Sequence, residues 1–230
     1  MKNLVLENVT VERNHRIVLD GINLSVQAGE SIGIFGPNGA GKTTLLNLIN
    51  GLINYKTGKI LVGDVIVNPA SSRKIQLIMG YVPQNFETDP RIPVLTGTVV
   101  LSGCYGKLGL FRYPDSLLIE KAKKIMNQLE ITHLFMRPFG QISGGERQKA
   151  MIARALMQEP EILLLDEPFS SISERSKETI SDIIKRWQEE RGSTMLIVSH
   201  ESTVIEKMCD CVVYLEEGQI VLKEKIYGRL

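Results

Sequence analysis

The sequence predicts an α/β protein with a parallel β-sheet at its core, and three observations support this. Short apolar runs rich in Ile, Val and Leu alternate along the 230-residue chain with longer stretches whose apolar residues follow the helical period. Segments near the N-terminus instead alternate apolar and polar residues, as antiparallel strands with one solvated face do. The strand pattern then lapses between residues 85 and 157, where helical periodicity replaces it.

Each group of elements follows from these patterns. The segments LVLENVTVE, INLSVQAGE and GKILVGDVIV, with Gly and Asn at their turns, predict an N-terminal antiparallel β layer. Continuous apolar runs predict strands buried on both faces at residues 31–35, 77–82, 162–165 and 195–198. The segment KAKKIMNQLE and the segment after Gly145 predict amphipathic helices.

These elements predict a single domain over residues 1–230. Residues 1–84 and 158–230 form the sheet core with its antiparallel layer in this interpretation, and residues 85–157 form an inserted helical subdomain.

Charge and composition exclude several classes of function. The net charge is +1 and no basic run stands out, so we expect no nucleic-acid partner. The start MKNLVLENVT reaches a glutamate before an apolar signal region forms, and no apolar run approaches the ~18 residues of a membrane span. We therefore expect a cytoplasmic protein. The three cysteines are expected as reduced thiols, and Cys209 and Cys211 as buried thiols in preference to metal ligands.

The segment GPNGAGKT, residues 36–43, follows an apolar strand and opens a helix, which is the context of a P-loop. Its glycines allow the backbone N–H groups of residues 38–43 to point into a concave anion site. Lys42 would reach the β- and γ-phosphates of a nucleoside triphosphate, and the Thr43 hydroxyl would ligate Mg²⁺.

The segment EILLLDEP ends a buried strand with two carboxylates. Asp166 would hold the Mg²⁺ shell, and Glu167 would polarise the attacking water. His200, after the apolar run TMLIVS, would hydrogen-bond the γ-phosphate. A solvated acidic pair and a lone imidazole are the alternatives, and their place beside a P-loop favours phosphoryl transfer to water over a protein that only binds or switches.

The segment QISGGERQKA begins a helix with two glycines. Ser143 at the N-cap and Glu146 three residues later have the spacing of a capping box. Gly144 and Gly145 cost roughly 1 kcal/mol each relative to alanine, which suggests that some group approaches this backbone closely. A bare helix N-terminus is also an anion site.

In their order along the chain, these motifs resemble those of ATP-binding-cassette (ABC) ATPases. The shared series is the P-loop, Gln84 in YVPQN, SGGE, LLLDEP and the Ser199–His200 pair. The resemblance implies a RecA-like P-loop NTPase core that binds ATP and Mg²⁺ and dimerises head to tail. The helix start would then cap the ATP of the partner chain, and Gln84 would contact Mg²⁺ or the water. The implied nucleotide-binding residues are Arg13, Gly36, Asn38, Gly39, Ala40, Gly41, Lys42, Thr43, Thr44, Ser143, Gly144, Gly145 and Glu146.

Three residues depart from the family pattern. Arg13 stands where an aromatic residue usually stacks on adenine, and its guanidinium would stack instead. Glu146 replaces a glutamine, and Arg147 or solvent would have to offset its charge near a triphosphate. Ser173 replaces an aspartate that links the two sites of the dimer, and Glu174 is a possible substitute.

Residues 99–114 resemble the corresponding stretch of cassette subunits from manganese and zinc importers, although a surface loop is the alternative. The resemblance implies membrane-spanning permease subunits docked in a groove that this segment lines, a second ABC ATPase chain as homodimer or heterodimer partner, and an extracytoplasmic substrate-binding protein. The chain would lie peripherally on the inner face of the cell membrane. A soluble cassette ATPase of an assembly or repair complex, and a monomeric P-loop kinase or switch, remain as alternatives.

Overall fold

The computed structural model describes residues 2–84, 86, 89, 91–109 and 112–226. Ten strands in these residues form two sheets. The larger sheet has six strands in the order β10-β9-β3-β8-β7-β6, and its strands are parallel except for the edge strand β10. They are β3 Ser31–Phe35, β6 Met79–Val82, β7 Ile162–Asp166, β8 Thr194–Val198, β9 Cys211–Glu216 and β10 Gln219–Lys225.

The central strands are buried on both faces. Every residue of β7 and β8 is buried, which is why these segments read as unbroken apolar runs. All four strands predicted for the sheet are confirmed. The start of β6 was predicted two residues too early, because Leu77 still caps the short helix α2, Ser72–Gln76, and the strand begins only at Met79.

The second sheet is antiparallel, as the N-terminal alternation predicts. Its order is β2-β1-β4-β5, with β1 Leu4–Arg13, β2 Arg16–Val26, β4 Thr57–Val62 and β5 Val65–Ile66. Asn14 and His15 connect β1 to β2 with positive φ angles of 48° and 59°, the conformation that a two-residue hairpin turn needs.

Three longer helices follow β6 in the chain: α3 Thr96–Leu108, α4 Ser116–Gln128 and α5 Gly144–Met157. Helices α3 and α5 pack closely, since a Cβ at Gly103 would lie 2.1 Å from the carbonyl oxygen of Arg154. The remaining helices are α1 Lys42–Ile49, α6 Glu174–Arg191 and α7 Ser202–Met208. Among the described residues, each helix is too short or too polar to cross a bilayer.

Two hydrophobic clusters form the core, one on each face of the large sheet. Alternate residues of β7 divide between them: Leu163 and Leu165 join the cluster that includes α3, α4 and α5, and Leu164 joins the cluster that includes α1 and the antiparallel sheet. The carboxyl ends of the parallel strands β3, β7 and β8 therefore lie between two rigid layers, which positions the residues that follow these strands.

Candidate nucleotide site

The loop between β3 and α1 is built on glycines that no larger residue could replace without strain. Gly36 has φ 151°, and a Cβ there would lie 2.0 Å from the carbonyl oxygen of Leu215 on β9. Gly39 has φ 83°, and a Cβ there would meet no heavy atom within 4 Å, so its backbone faces open space. The loop is thus held firmly by the sheet at one end and is accessible at its tip.

Lys42, the first residue of α1, is folded back on the loop. Its ammonium group donates hydrogen bonds to the carbonyl oxygens of Gly36 at 2.7 Å and Pro37 at 2.8 Å. Burial lowers the pKa of Lys42, and the charges of Glu167 and Asp166 oppose that shift. A cation is therefore held ready at the N-terminus of a helix, where an anion is favoured.

Asp166 ends β7 as a buried carboxylate. The residue is 1% exposed, and in the described part of the chain neither of its carboxylate oxygens has a hydrogen-bond partner. Burial raises the pKa of Asp166; the Thr43 hydroxyl lowers it in part, without a well-formed hydrogen bond, as does the charge of Lys42. Orphaned buried oxygens of this kind fit a hard cation, whose preferred ligands are oxygen atoms.

Glu167 has a left-handed backbone conformation, and it lines the same cleft as the P-loop. Its φ is 48°, which is uncommon for a residue with a side chain, and its N–H donates to the carbonyl oxygen of Val198 at 3.0 Å. Its Oε1 lies 3.0 Å from Nε2 of His200, in a geometry that is not a hydrogen bond. Burial raises the pKa of Glu167, and the neighbouring His200 opposes that rise.

These groups line one cleft of about 350 Å³. The lining residues are Val18, Asn38, Gly39, Gly41, Lys42, Thr43, Thr44, Gln84, Asp166, Glu167, Val198 and His200. The structure thus brings together the two carboxylates, His200, Gln84 and most of the P-loop residues that the sequence singled out. Val18 and Val198 were missed, because an apolar residue on a strand carries no sequence signal for a ligand site.

Seven of the thirteen implied nucleotide residues lie outside this lining: Arg13, Gly36, Ala40 and the residues at the start of α5, Ser143, Gly144, Gly145 and Glu146. Ala40 is buried beneath the loop, and its carbonyl oxygen accepts a hydrogen bond from Gly218 N–H at 3.2 Å. Arg13 is exposed at the end of β1, next to the hairpin turn. Its predicted contact with adenine would therefore involve the part of a nucleotide that projects out of the cleft.

The predicted capping box at the start of α5 is present. Ser143 Oγ accepts a hydrogen bond from Glu146 N–H at 3.3 Å, and Glu146 Oε2 accepts one from Ser143 N–H at 2.8 Å. The backbone and hydroxyl hydrogen bonds from Ser143 lower the pKa of Glu146. His133 and Arg137 lower the pKa of Glu146 further. The sequence pointed instead to Arg147, which lines a neighbouring cavity.

The two glycines at the start of α5 differ in their surroundings. A Cβ at Gly145 would lie 2.8 Å from the carbonyl oxygen of Ser171, so contact within the chain explains that glycine. At Gly144 the nearest atom among the described residues, Ser171 Cβ, is at an ordinary 3.8 Å, so contact with that part of the chain does not explain this glycine. Gly144 and Ser171 line a cavity of about 260 Å³ that also includes Gln84, which thus borders both this cavity and the P-loop cleft.

The segment that begins α6 carries an ion pair that the sequence did not reveal. Glu174, the suggested substitute for the missing aspartate, pairs with Lys177 of its own helix at 2.7 Å. Lys177 also contacts Glu201 at 2.6 Å, and Glu201 directly follows His200. The start of α6 and the His200 segment are therefore linked through one lysine. Only the packing of α6 beside α7 brings these groups together.

A surface groove lies between α1, β6 and α5. It measures about 260 Å³ and is lined by Asn50, Leu52, Gln76, Met79, Tyr81, Arg154, Ala155 and Gln158. Burial, and then the charge of Asp166, raise the pKa of Tyr81 to about 12. Tyr81 is paired with Leu164 of the neighbouring strand β7, which ends at Asp166. The segment 99–114 borders this region through Lys107, which donates to the Gln158 carbonyl oxygen at 2.6 Å. Residues 110 and 111 of that segment lie outside the described residues.

Comparison with known proteins is consistent with this geometry. Residues 19–170 match the family model described as ABC transporter. The manganese transport system ATP-binding protein MntB of Bacillus subtilis is 35% identical over 94% of this chain and 84% of its own length. The zinc uptake ATP-binding protein ZnuC of the same organism is 32% identical over 94% and 93%. The phosphonates import ATP-binding protein PhnC of Hyphomonas neptunium is 33% identical over 96% and 86%.

Solved structures give the same result for the fold. A dimeric ATP-binding cassette in a post-hydrolysis state, bound to ADP and Pi, superimposes with a TM-score of 0.87 at 28% identity. The alignment covers 98% of this chain and 100% of the solved one. The prediction of an α/β P-loop NTPase with an additional antiparallel sheet is therefore confirmed.

Proposed function

The chain belongs to the ABC transporter family as an ATP-binding and ATP-hydrolysing subunit, and on that premise we propose that it energises a membrane importer of divalent metal ions such as manganese or zinc. The observation that carries the metal assignment is the similarity, over more than nine-tenths of the chain, to subunits named for manganese and zinc transport. The similarity to a phosphonate import subunit makes an oxyanion the competing substrate.

The P-loop residues hold the phosphates in this proposal. Lys42 exchanges its two carbonyl partners, Gly36 and Pro37, for phosphate oxygens, and the exposed amides of Asn38 and Gly39 face the same anion. Because the lysine is already buried and preorganised, little side-chain entropy is lost on binding.

The donor set of the cleft fits Mg²⁺. Asp166 offers two orphaned oxygens, and Thr43 and Gln84 offer a hydroxyl and an amide oxygen in the same cleft. When bound, Mg²⁺ neutralises charge on the phosphates. We assign the magnesium shell to Thr43, Gln84 and Asp166.

Glu167 and His200 act on the attacking water and the γ-phosphate. The raised pKa of Glu167 makes its carboxylate a better proton acceptor than an ordinary carboxylate. His200 is about half exposed beside it, with a side-chain exposure of 47%, so a phosphate can reach the imidazole. Glu167 is the general base in this assignment, and His200 is the phosphate ligand.

A second cassette completes the site. The relative bound to ADP and Pi is a dimer, which supports head-to-tail pairing of this chain with a second ABC subunit. Ser143, Gly144, Gly145 and Glu146 would then face the γ-phosphate held by the partner, and Arg13 would stack on adenine. The space at Gly144, which contacts within the described part of the chain leave unexplained, supports this assignment.

We assign the groove beside Tyr81 to a permease subunit, with the chain peripheral on the inner face of the membrane and a substrate-binding protein on the other face. The pairing of Tyr81 with β7, the strand that ends at Asp166, supports communication between the groove and the ATP site. We retain residues 85–157 as the helical subdomain and residues 1–84 and 158–230 as the core.

The decisive experiment is capture of the tagged full-length protein from gently solubilised native membranes, followed by mass spectrometry. A polytopic membrane subunit is the expected partner. Recovery of soluble partners alone, reproducibly and with ATP present, would exclude import and favour an assembly complex. A chain carrying Lys42→Ala serves as the control for partners that bind without nucleotide.

The captured complex then distinguishes the substrates. We expect its ATPase rate, or uptake into proteoliposomes with the binding protein added, to respond to Mn²⁺ or Zn²⁺ and not to a phosphonate. A response to the phosphonate alone would overturn the metal assignment while leaving the ATPase assignment intact.

A further inference from the structure

The helix start of α5 is occupied by a carboxylate of its own chain. Glu146 Oε2 accepts two hydrogen bonds, from Ser143 N–H and from the Ser143 hydroxyl, each at 2.8 Å. A hydroxyl group has a single proton to donate. The proton that Ser143 would offer to a phosphate oxygen is therefore already committed to Glu146.

The carboxylate is charged under ordinary conditions. Hydrogen bonds from Ser143 hold the pKa of Glu146 below its usual value, and His133 and Arg137 act in the same direction. An incoming triphosphate would meet a negative charge at the position where the helix dipole and free donors would otherwise attract it.

We propose that Glu146 is an intramolecular competitor for the γ-phosphate of the partner chain, so that ATP-driven closure of the dimer requires its carboxylate to release Ser143. This inference rests on the head-to-tail site proposed above. It assigns Glu146 a positioning role, because it acts by holding Ser143 and not on the reacting atoms. The free chain is consequently biased towards the open state until nucleotide displaces the carboxylate.

Substitution of Glu146 separates its charge from its capping role. Glu146→Gln removes the charge and preserves an acceptor for Ser143 N–H, since glutamine serves at the same position of a capping box. Glu146→Ala removes both. Each is made with Glu167→Gln, which prevents hydrolysis, and the ATP concentration at half-maximal dimerisation is measured by light scattering.

We expect Glu146→Gln to lower that ATP concentration by about tenfold, the scale of one like-charge contact near a protein surface. Raising the salt concentration should favour dimerisation of the Glu146 parent more than that of the glutamine variant. Asp115→Asn is the matched control, since Asp115 caps α4 by accepting from Leu118 N–H at 2.9 Å. It should leave dimerisation unchanged.

The outcomes distinguish the inference from its premise. If the parent and Glu146→Gln dimerise at the same ATP concentration, or the glutamine variant needs more, Glu146 is not a competitor, although the head-to-tail site stands. If Glu146→Ala alone weakens dimerisation, the residue serves only as a cap. If ATP drives dimerisation in none of the variants, the head-to-tail site fails and the inference fails with it.

Discussion

Replacing Asp166 with Asn should stabilise the nucleotide-free protein. Both carboxylate oxygens are buried without a partner among the residues described, and burial raises the folded-state pKa. When the pKa of a group is higher in the folded protein than in the unfolded chain, the group contributes stability at a pH below the unfolded-state pKa. That stability is lost as the pH rises through the folded-state pKa. At neutral pH the fold therefore bears the cost of an ionised carboxylate that Lys42 compensates only in part. A neutral amide of the same shape avoids the penalty for the charge, although it too is a buried polar group.

The size of this effect follows from the contacts. A buried polar group left unsatisfied costs about 1–3 kcal/mol, and more when it is charged. The asparagine amide keeps the cost of a neutral buried group, so the gain is the additional cost of the charge, part of which Lys42 offsets; we expect about 1–3 kcal/mol. For a chain of this size, 1 kcal/mol raises Tm by about 2–4 °C. The expected increase is therefore about 2–12 °C.

Thermal unfolding with EDTA and without nucleotide measures the gain directly. Adding ATP and Mg²⁺ should stabilise the wild type more than Asp166→Asn, because the variant lacks a charged magnesium ligand. Asp210→Asn is the control: Asp210 accepts a hydrogen bond from Ser31 N–H at 2.8 Å, and its Tm should not rise. A lower Tm for Asp166→Asn, or a gain that does not shrink as the pH falls, would refute the reasoning.

Four further predictions concern catalysis. Lys42→Ala should abolish ATP binding in calorimetric titrations, and retained affinity would contradict the P-loop assignment. Glu167→Gln should bind ATP yet release phosphate at least ~100-fold more slowly through loss of the base, whereas unchanged turnover would remove Glu167 from the mechanism. The wild-type ATPase rate should fall as the pH decreases, because the base must be ionised. Burial raises the pKa of Glu167, so the midpoint of this fall should lie above 4.5, the ordinary pKa of glutamate. A rate that stays unchanged down to pH 4.5 would contradict this role. Lys177→Met should lower kcat with little change in KM, because Lys177 joins Glu174 to Glu201 beside His200. Lys177→Arg keeps the positive charge and should retain the wild-type kcat. An equal loss of kcat in both variants would indicate a packing role only.

Features that depend on neighbours in the chain were predicted well. The buried strands appear as unbroken apolar runs, and the P-loop and the capping box each lie within a few consecutive residues, so their spacing alone specifies their geometry. The prediction was poorest at element ends. The strand β6 begins two residues later than expected, because Leu77 is equally apolar in a strand and at the end of helix α2.

The sequence by itself determined the α/β architecture and the residue types of the ATP site, because periodicity and motif spacing act over short stretches of chain. Only the tertiary structure decided that Asp166 lacks hydrogen-bond partners among the described residues, that the Ser171 carbonyl requires a glycine at position 145, and that Lys177 pairs with Glu201. Each of these facts depends on which strands and helices become neighbours in space. Burial and hydrogen-bond partners are properties of that arrangement, since the same side chain is satisfied in water and costly when it is enclosed without a partner.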